Sequence, residues 1–305
     1  MSEVYDLVII GSGPAGLAAA IYAERAKLKA VTIEKNVMSG GQVVNTYEVD
    51  NYPGLPGMNG FDLAMKFREH AQQLGAGFKE DTVQTILSEG GLHQVVCENG
   101  TYEGKTVLIA TGATHRKLGA PGEDQFSGMG VSYCATCDGA FFRNKVTAVI
   151  GGGDVAVEDA IFLARLCKKV YLIHRRDELR AAKSLQEKLF AMENVEVLWD
   201  SVVEEIKGEN NVNSISVKNV KTNEQKDISV DGVFVAVGIL PNSDEFKGVV
   251  ELDPQGYIKA GEEGITSVPG IFAAGDVRTK ALRQIVTAVS DGANAITSIE
   301  KYLNH

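Results

Sequence analysis

Cys134-Ala-Thr-Cys137-Asp138 is the stretch of this 305-residue chain that offers the most chemistry per residue. Two thiols across two residues can form half a zinc site, close a permanent disulfide, or cycle between dithiol and disulfide. A structural zinc site takes four ligands, usually from a second Cys pair or from nearby histidines. Here there is one pair, and none of His70, His93, His115, His174 or His305 stands at ligand spacing from it. A permanent disulfide around so small a loop removes little chain entropy. Redox cycling is the remaining use, with the thiolate as the reactive form. Asp138 is placed either to handle a proton as the pair opens and closes, or to cap a helix. Cys97 and Cys167 lie in strand-like and helix-like surroundings and read as core residues, because a free cysteine packs as a small hydrophobe.

A redox pair needs a source of electrons, and the flanking sequence repeats one phosphate-binding pattern twice. "YDLVII" reads as a strand, "GSGPAG" as a turn, "LAAAIYAERAKL" as a helix and "AVTIEK" as a second strand ending in Glu34. Gly11, Gly13 and Gly16 have the dinucleotide-binding spacing in its required strand–turn–helix context. A pyrophosphate would lie at the helix N-terminus. Glu34 would accept hydrogen bonds from ribose hydroxyls, so this site suits FAD or NAD. The second copy runs "KVTAVI", "GGGDVA", "VEDAIFLARLC" and "KVYLIHRRDELR", with Gly151, Gly153 and Ala156 in the three positions. Gly11 to Glu34 and Gly151 to His174 are the same distance along the chain. Where the first unit has a carboxylate, the second therefore has His174, Arg175 and Arg176, with Arg180 beyond. Guanidinium forks suit the 2′-phosphate of NADPH, whereas a carboxylate would repel it. The competing reading of this cluster is a solvated basic face.

"TVLIATGA" and "VDGVFVAVGILPN" are apolar strands at comparable places after each unit. "GIFAAGDV" is another, closed by Asp276, whose carboxylate could bind a hydroxylated chain such as the ribitol of FAD. Ile285, Ala288, Val289, Gly292, Ile296 and Ile299 form a helical stripe near the C-terminus. The expected class is α/β: two Rossmann-like dinucleotide-binding domains, the NADPH domain inserted into a discontinuous FAD domain. The FAD domain takes residues 1–115 and 246–305, and the NADPH domain, with the cysteine pair, takes 116–245. "GATHRKLGAPGED" and "GILPNSDEFKG" read as the two linkers. The formal charge of −10 argues against nucleic acid as a partner. No apolar run is long enough for a membrane span, and the N-terminus lacks signal-peptide features, which gives a cytoplasmic expectation. Hydride from NADPH does not readily attack a disulfide. A flavin that takes the hydride and passes electrons to sulfur is the natural intermediate.

Across its whole length the chain resembles the low-molecular-weight bacterial thioredoxin reductases, of the pyridine nucleotide–disulfide oxidoreductases. The carriers are "GSGPAG", "SGGQ", "DNYPG", "CATCDG", "GGGDVAVE", "HRRDELR", "FAAGDV" and "RQIVTA". The resemblance implies that Cys134 and Cys137 are the redox pair and Asp138 its acid. It implies that Gly11, Gly13, Gly16, Glu34, Gln42, Asn51, Asp276, Arg283 and Gln284 contact FAD. Gly151, Gly153, Ala156, His174, Arg175, Arg176 and Arg180 would serve NADPH. It further implies a homodimer, a rotating NADPH domain and thioredoxin as the protein substrate. Phe141 and Phe142 follow the pair and are either core or partner-facing. Val155 stands where many members have a small polar residue. Three rivals are a ferredoxin-driven relative, a reductase serving a peroxidase or another small redox protein, and a non-catalytic flavoprotein sensor. The intact second phosphate unit argues against the first and third. The start directly at a dinucleotide-binding strand argues against the peroxidase type.

Overall fold

The computed structural model describes residues 3–46, 49 and 51–304; Asp50 of "DNYPG" and His305 lie outside them. The chain forms two compact units, Met1–Thr114 with Leu240–His305, and His115–Ile239.

The first unit opens with β1 (Val4–Ile10), α1 (Pro14–Arg25), β2 (Ala30–Glu34), α2 (Gly60–Gln73), β3 (Gly77–Glu80), β4 (Val83–Glu89), β5 (Leu92–Cys97) and β6 (Thr101–Ile109). The chain leaves it through β7 (Ala113–His115). The second unit holds β8 (Val131–Ser132), α3 (Ala135–Asp138), β9 (Val146–Ile150), α4 (Asp154–Ala164), β10 (Lys169–Ile173), α5 (Lys183–Phe190) and β11 (Val195–Leu198). It continues with β12 (Ser201–Gly208), β13 (Val212–Asn219), β14 (Gln225–Ser229) and β15 (Gly232–Val235). After β16 (Ile239–Pro241) the first unit is completed by β17 (Ile271–Ala273) and α6 (Ile285–Leu303).

In the first unit β3, β2, β1, β6 and β17 run parallel, and β5 and β4 extend the sheet antiparallel beside the start of β6. β1 is buried on both faces, which is why "LVII" reads as a continuous apolar run without alternation. Leu7, Ile9 and Leu108 point to the α1 and α6 side, and Val8, Ile10, Val107 and Ile109 to the other. Pro14 starts α1, where its missing N–H is not needed. α1 and α6 pack closely enough that a Cβ on Gly292 would run into the Ala15 carbonyl.

The second unit has a parallel sheet in the order β11-β10-β9-β15-β8. One face packs on α4 and α5 through Val149, Val170, Leu172 and Phe234. The antiparallel sheet β12-β13-β14 covers the other face through Val203, Ile206, Ile215 and Val217. The chain thus adopts the expected class of two Rossmann-like α/β units, one inserted in the other.

"GILPNSDEFKG" does not behave as a free linker. Asn242 exchanges hydrogen bonds with Thr111, its side-chain oxygen accepts from Thr114, and Phe246 is buried in the first unit's core. The helix expected to run to Cys167 ends at Ala164. Cys167 is buried against α4, and Cys97 is buried at the end of β5.

Candidate active site

The two glycine-rich turns are built alike. The Gly11 N–H donates to the Ile33 carbonyl at 2.8 Å, and the Gly151 N–H to the Ile173 carbonyl at 3.1 Å. Gly11 has φ +100° and Gly151 φ +154°, both in the region that favours glycine. A Cβ on Gly11 would strike the Ala110 carbonyl, and one on Gly151 the Ala236 carbonyl. A Cβ on Gly16 would overlap the Gly11 carbonyl, so the third position must be small for helix and turn to close. Ala156 holds that place in the second unit and is fully buried. The carbonyl of the second turn residue is also used alike. Ser12 accepts from the Gly40 N–H at 2.8 Å, and Gly152 from the Arg180 N–H at 2.7 Å.

Around the first turn, Glu34 Oε2 accepts from the Ser12 N–H at 2.8 Å and the Ser12 hydroxyl at 2.7 Å. Its Oε1 accepts from the Asn36 N–H at 3.0 Å. Glu34 therefore braces the turn as well as ending β2. Gly41 approaches Gly13, and Gly275 approaches Ala15, which brings the turns bearing Gln42 and Asp276 to the start of α1. Gln42 is exposed. Asn51 donates to Gln284 Oε1 at 2.9 Å, and the Gln284 side chain also accepts from the first turn of α6. Arg283 stacks over Tyr257 at 4.0 Å. Burial pushes the Asp276 carboxyl up, against the opposing pull of Lys280, Arg283 and Arg278. Its Oδ1 is buried without a hydrogen-bond partner among the described residues. Behind it, Asp291 receives a bidentate Arg278 at 2.9 and 2.6 Å and Lys280 at 2.9 Å, all three side chains buried.

Around the second turn, Arg175, Arg176 and Arg180 are exposed, with no ion pair among the described residues. His174 stands apart from them. It is 4% exposed and packs under Gly152, where a Cβ would overlap the ring. Burial holds its pKa below the ordinary value, with the neighbouring arginines adding to the effect. Its Nε2 has no partner among the described residues. His174 is thus the floor of the turn, and the three arginines are its outer edge.

Cys134 and Cys137 are joined as a disulfide. Cys134 precedes the one-turn helix α3; Asp138 ends it and stands at the N-cap position of the 3-10 turn Gly139–Phe142, but its side chain makes no capping hydrogen bond there. Its Oδ2 instead accepts the Ser132 hydroxyl at 2.6 Å, and the same hydroxyl oxygen accepts the Cys134 N–H at 3.1 Å. Asp138 Oδ1 is buried with no partner among the described residues. Burial pushes the carboxyl up, and the Ser132 hydrogen bond only partly offsets this. Ser132 was not among the expected site residues; its only sequence signal is a position six residues before an acid. Phe142 is buried against Phe234, with ring centroids 5.2 Å apart, and Phe141 packs at the edge of the same core.

The family model described as pyridine nucleotide-disulphide oxidoreductase matches residues 5–292. A thioredoxin reductase of Peptoclostridium acidaminophilum is 48% identical over 310 residues, covering 99% of this chain and 98% of its own. A thioredoxin reductase of Bacillus subtilis is 44% identical over 306 residues, covering 99% and 96%. The crystal structure of thioredoxin reductase from Streptococcus pyogenes matches with a TM-score of 0.95 at 47% identity, covering 100% of this chain and 99% of that one. Two matched phosphate turns, a disulfide beside a buried acid and near-complete coverage by these relatives have one reading in common: the chain belongs to the pyridine nucleotide–disulphide oxidoreductase family, on its thioredoxin reductase branch.

Proposed function

We propose that this chain is an NADPH-dependent thioredoxin-disulfide reductase carrying FAD. Residues present in each unit fit the group assigned to it. A Cβ on Gly13 or Gly153 would meet nothing within 4 Å, leaving open space over each turn for a phosphate. The unpartnered Asp276 Oδ1 suits a ribityl hydroxyl, and Gln42, Asn51, Arg283 and Gln284 would hold the rest of FAD on the first unit. Arg175, Arg176 and Arg180 offer unpaired forks for the 2′-phosphate of NADPH on the second.

Bound FAD would supply the means of accepting one hydride and delivering its two electrons to a disulfide. Opening the Cys134–Cys137 bond takes up those two electrons and two protons. Asp138 holds a proton to higher pH than an ordinary carboxylate, and Ser132 keeps its Oδ2 occupied, so Oδ1 is the atom free to exchange a proton with sulfur. A thiolate of the opened pair then attacks the thioredoxin disulfide. A mixed disulfide forms, and the second thiol resolves it, re-forming the Cys134–Cys137 bond and releasing reduced thioredoxin.

The observation that carries this reading is the disulfide and the half-buried acid beside it standing in the same unit as the arginine-edged turn. Whole-chain resemblance also supports a homodimer, which light scattering would test, and a cytoplasmic location. Among the described residues no helix is long and apolar enough to cross a membrane. Anaerobic mixing of the flavin-loaded protein with NADPH, and separately with NADH, tests the donor. Fast bleaching by NADPH with reoxidation by thioredoxin is the expected result. Absence of bleaching by NADPH would sink the donor and favour a ferredoxin-type relative.

A further inference from the structure

Tyr133 immediately precedes Cys134 and follows Ser132, the last residue of β8. Its phenol donates to Glu123 Oε1 at 2.9 Å. Glu123 is 2% exposed, and its carboxylate also accepts the Leu118 N–H at 2.8 Å and the Gly119 N–H at 2.7 Å. The turn that presents Glu123 is itself fixed. The Pro121 carbonyl accepts the Ile206 N–H at 2.9 Å, and a Cβ on Gly122 would overlap the Ile206 carbonyl. The Tyr133 ring stacks on His115, with centroids 5.3 Å apart and planes 23° from parallel. Burial, then the Glu123 hydrogen bond and charge, pushes the phenol well above its ordinary pKa, so it stays a donor at working pH.

A buried carboxylate with three donors is a stiff anchor, because loss of any donor leaves a desolvated oxygen short of a partner. β8 ends at Ser132, and Tyr133 forms the bend that leads into Cys134. Both residues before Cys134 are tied down: Ser132 to Cys134 and Asp138, and Tyr133 to Glu123. We propose that Tyr133 is a positioning residue for the redox pair, its hydrogen bond to buried Glu123 fixing the backbone that presents the Cys134 sulfur to Cys137. This rests on the reading of Cys134 and Cys137 as a cycling pair. The stability of a disulfide against reduction follows the effective concentration of one thiol at the other. A looser approach to Cys134 lowers that concentration and makes the pair easier to reduce.

The test is the equilibrium of the flavin-loaded protein with reduced and oxidised dithiothreitol. In that exchange the protein S–S bond breaks as the reagent's forms, with no net change in electrons or protons. Native alkylation and mass measurement count the opened thiols, and a melting curve is recorded alongside. Tyr133→Phe keeps the ring and removes the donor; Glu123→Gln removes an acceptor from the other end. Each is expected to shift the equilibrium about tenfold toward dithiol, or roughly 30 mV for this two-electron couple. Lower melting temperatures in both variants with the equilibrium within threefold of the parent would make the contact merely structural and overturn the proposal. NADPH and thioredoxin do not enter the measurement, and flavin absorbance is followed so that electrons passed back to FAD are counted; a wrong donor or acceptor therefore does not disturb it. A parent disulfide that dithiothreitol cannot open would overturn the cycling-pair reading and the proposal with it.

Discussion

Ser132 Oγ lies 2.6 Å from Asp138 Oδ2, so the acid after Cys137 is held by a residue before Cys134. The pair and this acid are therefore held as one piece. Asp138→Asn is expected to slow reoxidation by thioredoxin about 10²-fold, the scale of a lost general acid. The sign of the pH dependence follows from burial, which raises the Asp138 pKa. The parent rate is full at low pH and falls as pH rises through that raised value, and the Asn variant lacks this limb. Stopped-flow rates across pH read both effects; an Asn variant with the parent's falling limb removes Asp138 from the proton path.

Asp159 makes the second unit sensitive to pH in another way. Burial first, then the charge of Glu158, lifts its carboxyl from 3.8 to about 7. The folded state holds this proton more tightly than the unfolded chain, so its stabilising contribution is complete below about pH 4 and is lost as pH rises to about 7. Asp159→Asn does not carry that loss. Relative to the parent it should gain about 1–3 kcal/mol between pH 5 and pH 8. Denaturant melts at the two pH values check this, and equal differences at both would refute it.

Two glycines of the first turn separate folding from cofactor binding. Space beside Gly13 is open, whereas a Cβ on Gly16 meets backbone. Gly13→Ala is expected to leave the apoprotein's melting temperature within about 2 °C while weakening FAD binding at least tenfold, since the methyl occupies the phosphate's place. Gly16→Ala is expected to lose about 2 kcal/mol or more of stability. Apoprotein melts and FAD fluorescence titrations distinguish the two.

Among the described residues, Asp291 is the only acid that forms an ion pair with the buried side chains of Arg278 and Lys280. Asp291→Ala would leave both cations buried and unpaired, at about 3–5 kcal/mol. A fall of roughly 10 °C in melting temperature is expected. A drop under 2 °C would mean that water or a shifted carboxylate satisfies the cations.

Much of this was legible in the primary structure, for physical reasons. The turns at Gly11 and Gly151 are local: strand, tight turn and helix follow one another directly, each leaving its own periodic or compositional trace. The burial of Cys97 and Cys167 followed from their apolar surroundings. Contacts made across elements left no such trace. Ser132 meets Asp138 only because a single helical turn folds the segment back. Glu123 reaches Tyr133, and Arg278 reaches Asp291, by tertiary packing that no spacing rule encodes. "GILPNSDEFKG" looked like a tether because it is polar and rich in turn formers, yet Phe246 anchors it in a core. His174 stood in line with Glu34 of the other unit, and only the fold shows its ring buried beneath Gly152.

The matched turns carry a consequence for how such proteins diversify. Gly11 and Gly151 rest on the carbonyls of Ala110 and Ala236 in the same manner, although the residues at the ends of the following strands, Glu34 and His174-Arg175-Arg176, share no chemistry. Glu34 supports one turn through Ser12, and His174 lies under Gly152 of the other, so at those two positions the strand end and the turn constrain one another. Arg175 and Arg176 are exposed and carry no such duty. On the proposed reading, nucleotide preference is free to change at the exposed arginines and tied to the turn at the positions beneath it.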